Sequence, residues 1–146
     1  MTMRCALFLA AALLSAGCAG GAEKASDPEV LIRISNAGAE PLQCRMMFGH
    51  WVDRNLGIAT TGGDTAAAIA VKVQQQPEDG ALYIMRDDGA RRMMVENIFC
   101  ARPDEWQATV GQIDLSVVRT ARPKEVWVSC ALPPSGGRVV CTEPKH

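Results

Sequence analysis

The chain of 146 residues is poor in aromatic side chains, with three Phe, three Trp and a single Tyr, and it has only two histidines. So few flat rings leave little on which nucleobases could stack. An excess of one charge is also missing: 15 Lys and Arg stand against 16 Asp and Glu, a formal net charge of −1. That balance gives no basic footprint and speaks against a nucleic-acid partner. No C-x-x-C pair occurs, so the usual signature of a redox motif or a zinc ribbon is missing. No G-x-S-x-G occurs either, and His50 is the one histidine away from the C-terminal His146. A nucleophilic or acid/base constellation has little to be built from, and the sequence points to a non-enzymatic protein that needs no cofactor. After residue 17 no apolar run approaches the roughly 20 residues that span a bilayer as a helix. What the chain does have is apolar bulk: 48% hydrophobic residues is too many for a disordered chain.

Much of that bulk lies at the start. Met1 to Arg4 carries one positive charge, Cys5 to Leu14 is uncharged and apolar, and Ser15, Ala16 and Gly17 are small. A charged start, an apolar centre and a small-residue cleavage zone make residues 1–17 a targeting signal. The string Leu14-Ser15-Ala16-Gly17-Cys18 resembles the lipobox of bacterial lipoproteins. The resemblance implies cleavage before Cys18, a diacylglycerol thioether on its sulfur and an acyl group such as palmitate on the new amine. Several acyl chains exceed the two signals needed for stable anchoring to a lipid bilayer. Ala19, rather than an aspartate, follows the cysteine, which resembles the pattern of an outer-membrane lipoprotein facing the periplasm. The plainer alternative is a secretory signal that happens to end in a cysteine. Residues 18–28 are rich in Gly, Ala, Ser, Glu and Lys and read as a flexible tether. Residues 29–146 then form one domain.

Of six cysteines, Cys5 leaves with the signal and Cys18 takes the lipid, so Cys44, Cys100, Cys130 and Cys141 remain. An even number in an exported domain implies disulfides. Glu125–Cys130 and Arg138–Thr142 read as two strands joined by Pro133-Pro134-Ser135-Gly136-Gly137. Facing positions of an antiparallel hairpin have a constant sum. Pairing Cys130 with Cys141 also sets Leu132 opposite Val139, which leaves Cys44 to bridge Cys100.

Alternating apolar residues mark further strands. They run through Val30, Ile32 and Ile34; Leu42, Cys44, Met46 and Phe48; Ile69, Val71 and Val73; Ala81 to Arg86; Arg91 to Cys100; and Ile113, Leu115 and Val117. Asp53 to Asp64 reads as a Gly- and Thr-rich loop, Asp87-Asp88-Gly89 as a hairpin turn, and Pro103 to Trp106 as the start of a short helical turn. Seven to eight short antiparallel strands with little helix predict an all-β, immunoglobulin-like β-sandwich with two disulfides. In that plan the bridge from Cys44 to Cys100 would staple one sheet to the other.

The expected task is a non-catalytic binding or assembly-accessory module held at the membrane, with an envelope protein or glycan as partner. Trp51, Arg86, Arg91, Arg92 and Trp106 are the candidate contacts, since arginine and tryptophan dominate binding hot spots. Arg86, Arg91 and Arg92 cluster at the hairpin turn, where Asp87 and Asp88 offset much of their charge. An alternative is a copper carrier, because the thioethers of Met46, Met47, Met85, Met93 and Met94 with the imidazole of His50 suit Cu(I). Core packing by methionine is the plainer use of those residues. A small hydrolase built around His50 is a third possibility.

Overall fold

The computed structural model describes residues 26–49, 52–62 and 67–143. The lipobox with Cys18, and His50, Trp51 and His146, lie outside the described residues. Alternation in the sequence becomes alternation of burial. Strand β1 (Glu29–Asn36) buries Val30, Ile32 and Ile34, and β2 (Leu42–Phe48) buries Leu42, Cys44, Met46 and Phe48. Then follow β3 (Asp53–Ala59), β4 (Ile69–Gln75), β5 (Leu82–Met85) and β6 (Arg92–Ala101). A single turn of helix, α1 (Trp106–Thr109), precedes β7 (Gly111–Ile113), and α2 (Ser116–Ala121) precedes β8 (Glu125–Ala131) and β9 (Val140–Thr142).

The strands run β3-β2-β6-β5-β4-β1-β8-β9, with β7 also pairing β6. Strand β6 joins two layers. Its first residues, Arg92 to Met94, pair with β5, and the rest, Val95 to Ala101, pair with β2, with β7 on the other edge. A register shift between Met47 and Phe48 marks the bend in the ladder. The result is the expected all-β, sandwich-like fold with both expected disulfides, Cys44–Cys100 and Cys130–Cys141. One core fills the space between the layers, from Ile32, Ile34, Val73 and Val128 on one side to Leu42, Met46, Phe48 and Ile98 on the other. Each such side chain, fully buried, stabilises the fold by about 1.5–3 kcal/mol relative to exposure.

The buried side chains of Asn36 and Gln75 clamp the layers. The Asn36 amide donates to Glu40 O at 2.7 Å and Ala59 O at 3.1 Å, and its oxygen accepts from Gly38 N, tying the end of β1 to the end of β3. The Gln75 amide donates to the carbonyls of Gly80, Val118 and Arg119, tying β4 to α2. Arg119 in turn donates to Val95 O and Glu96 O on β6. Where β7 meets the approach to β9, Val139 N donates to Thr109 O at 2.8 Å. Gly111 permits this contact: a Cβ there would sit 1.8 Å from Val139 O.

Four details differ from the sequence reading. The described residues form nine strands rather than seven to eight, and one pair, β1 with β8, is parallel. The extra strand is β3, where a loop is expected; pairing with β2 holds its polar residues in an edge strand. Gly57, at φ 113°, takes up a bulge there, and its N–H donates to the Asn55 side chain. The strand expected through Val117 stops at Ile113, because Asp114 accepts the Ser116 N–H at 2.9 Å and turns the chain into α2. That hydrogen bond also holds the Asp114 carboxyl below the usual carboxylate range. Finally, Cys44 and Cys100 are directly opposed on neighbouring strands of one layer. Their bridge is a cross-strand staple and does not join the two sheets in the immunoglobulin manner.

Candidate functional site

Pairing Cys44 with Cys100 on the inner face fixes what stands beside it. The next pair in the ladder is Arg45 with Phe99, and their side chains point outward because successive residues alternate. Met47 lies two residues further along the same outer face of β2. The turn of α1 brings Trp106 against this face, and the Arg45 guanidinium lies 4.3 Å from the centre of its indole ring. Arg45, Met47, Asp53, Phe99, Trp106 and Val110 line a shallow cleft of about 150 Å³. Its walls are mainly apolar, with one cation and one carboxylate at the rim.

Arg45 is held loosely. Its contacts with Asp53 and the Gln43 side chain are both 3.4 Å long, and its covered Nε–H has no acceptor. An arginine stacked on tryptophan, whose terminal N–H groups make only these long contacts, suits a partner that brings an apolar side chain and an oxygen acceptor together. A larger cleft, about 520 Å³, opens between the turn at Gly38 and the loop at Pro133 and Pro134. Its Arg102 is already paired with Asp104 at 2.9 Å and Glu105 at 3.5 Å, which together hold the guanidinium in its charged form.

The candidate contacts do not form one patch. Trp106 is half-buried in the cleft, while Arg92 begins β6. Seven residues of extended chain separate Arg92 from Phe99, about 23 Å at the usual rise. Arg86 and Arg91 are exposed beside the hairpin turn, where Arg86 N donates to Arg91 O. Arg92 lies 4.5 Å over the Tyr83 ring and 3.2 Å from Asp27 Oδ2, which also accepts the Tyr83 hydroxyl at 2.7 Å. Burial, followed by that hydrogen bond, pushes the Tyr83 phenol above its ordinary pKa.

No known family, curated protein or solved structure matches this chain.

The methionines are divided between faces. Met46 is buried and Met47 points the other way; Met93 packs against the core, whereas Met94 and Met85 are exposed on the outer face with Arg92. Alternation along β2 and β6 therefore divides these thioethers between an inner and an outer face. The Sγ atoms of Cys100, Cys130 and Cys141 do converge, within 4.8 Å of one another. In disulfide form they offer no thiolate to a metal. Among the described residues no helix is long and apolar enough to cross a membrane.

Sequence reasoning found Trp106 and missed Arg45 and Phe99 as its partners. The signal was present. Applied to Cys44 and Cys100, the constant-sum rule for facing residues sets Arg45 opposite Phe99.

Proposed function

We propose that this protein is a lipid-anchored component of the bacterial envelope that acts as a non-catalytic binding or assembly-accessory module. The lipobox-like string ending in Cys18 supports the anchor and, with Ala19, the periplasmic face of the outer membrane. The observation that carries the binding reading is the cleft formed by Trp106, Arg45, Met47 and Phe99 on the outer face of a disulfide-pinned strand pair. A disulfide-pinned platform with a half-buried aromatic, an arginine and apolar walls has the make-up of an interface hot spot. Its partner is an envelope protein that inserts an apolar side chain beside Trp106 and gives an oxygen acceptor to Arg45.

Site-specific photocrosslinking in intact cells tests the binding role. A photoreactive residue at Met47 should give a discrete adduct that disappears with Trp106→Ala. The same residue at the exposed Lys72, on another strand, should give none. Equal labelling at both positions, or none at Met47, would remove the binding role. Incorporation of labelled palmitate, abolished by Cys18→Ser, tests the anchor separately.

A further inference from the structure

Both disulfides lie on inner faces, one in each layer, and the layers bring them together. Cys44–Cys100 staples β2 to β6, and Cys130–Cys141 staples β8 to β9 at directly opposed positions. The sulfurs of Cys100, Cys130 and Cys141 lie within 4.8 Å of one another. Cys44, Cys100 and Cys130 are fully buried, whereas Cys141 is half-buried and lines a pocket of about 280 Å³ with Ile113, Val117 and Val128. A thiol arriving from solvent meets Cys141 first.

We propose that the two disulfides are one exchange centre, in which a dithiol reductant attacking Cys141 converts the two in-layer bridges into a single bridge, Cys100–Cys130, across the core. The external thiolate bonds to Cys141 Sγ, the bond between Cys141 and Cys130 breaks, and Cys130 leaves as a thiolate. That thiolate is buried among apolar side chains, where its charge is poorly solvated. It either returns to Cys141 or attacks the neighbouring Cys100 Sγ. In the second case the Cys100–Cys130 bond forms, the Cys44–Cys100 bond breaks, and Cys44 leaves as a thiolate that takes up a proton. The second thiol of the reductant then displaces Cys141, which is also protonated, and the reductant departs as its own disulfide. One dithiol has been oxidised and two protein thiols, Cys44 and Cys141, have appeared. The two-electron-reduced protein keeps a covalent link, now between its layers, and presents a reactive thiol in the Cys141 pocket.

Limited reduction of the oxidised full chain with dithiothreitol, acid quenching, alkylation and non-reducing peptide mapping tests this. Cleavage after Lys and Arg puts the four cysteines on separate peptides. The expected two-electron product has the Cys100 peptide joined to the Cys130 peptide, with Cys44 and Cys141 alkylated. A product that retains Cys44–Cys100, with Cys130 and Cys141 alkylated, overturns the proposal. Cys141→Ser provides a second measurement that needs no reductant, because it leaves Cys130 free. Refolded under oxidising conditions, it should contain both Cys44–Cys100 and Cys100–Cys130 forms. Recovery of Cys44–Cys100 alone, with Cys130 fully alkylated, overturns the proposal equally.

Discussion

Replacing Gly111 with alanine should unseat the seam where β7 meets the segment leading into β9. The added Cβ would lie 1.8 Å from Val139 O and 2.7 Å from Val139 C, both backbone atoms that cannot swing aside. The two segments must separate by more than an ångström. Two losses follow. The hydrogen bond from Val139 N to Thr109 O breaks, leaving a donor and an acceptor without partners at a cost of about 1–3 kcal/mol. Val139, 4% exposed, also loses part of its packing, worth up to about 2 kcal/mol. Against this, alanine lowers the entropy of the unfolded chain and returns about 0.4–1 kcal/mol. The net expectation is destabilisation by about 2–4 kcal/mol, read as a lower urea midpoint with an unchanged m-value. Gly49→Ala is the control, because the nearest atom to its added Cβ is a flexible Glu96 carboxylate oxygen at 3.7 Å. If Gly111→Ala unfolds within about 0.5 kcal/mol of the parent chain, the range of a benign surface change, the close approach at Val139 does not hold the layers together.

Three further outcomes are expected. Gln75→Leu keeps most of the side-chain volume but leaves the carbonyls of Gly80, Val118 and Arg119 without their shared donor, and denaturant titration should show a loss of about 2–3 kcal/mol. Because the folded state raises the Tyr83 pKa, its contribution is fully present below the unfolded value near 10 and is lost as pH rises through the folded value. Stability should therefore fall in that alkaline range, Tyr83→Phe should flatten the fall, and phenolate absorbance of this single tyrosine should rise later in the folded chain than in the unfolded one. Arg45→Ala uncovers the Trp106 ring, so the indole emission should shift to the red while stability changes by no more than about 1 kcal/mol, the worth of an exposed cation–π pair.

Strands backed by strict alternation were legible because burial on one face writes itself into every second residue. The ladders of β1, β2, β4 and β8 follow from Val30, Ile32 and Ile34, from Leu42, Cys44 and Met46, and from their counterparts. The hairpin of β8 and β9 was legible down to its register, since Cys130, Cys141 and the turn between them fix it. Edge strand β3 was not legible. Asp53, Arg54 and Asn55 are all exposed, so its conformation comes from hydrogen bonds to β2 and leaves no apolar period to read. Helix α2 is hidden in the sequence for a related reason. Leu115 and Val118 are buried and Val117 is exposed, so the burial spacing there is three residues, and the Asp114 side chain sets the switch.

The candidate site shows where such reading stops. Arg86, Arg91 and Arg92 attract attention because they are close in sequence, yet Arg92 is occupied with Tyr83 and Asp27. Trp106 gains meaning only from Arg45 and Phe99, which stand far from it or from each other in the chain and meet through the β2–β6 register. That register is the same fact as the Cys44–Cys100 bridge. An in-layer disulfide carries more positional information than one between layers, because it aligns every residue pair along its ladder. The closeness of the two bridges is information of another order. Each register follows from its own pair of strands, but the meeting of Cys100 with Cys130 and Cys141 depends on how one layer lies over the other, and no local pattern encodes that.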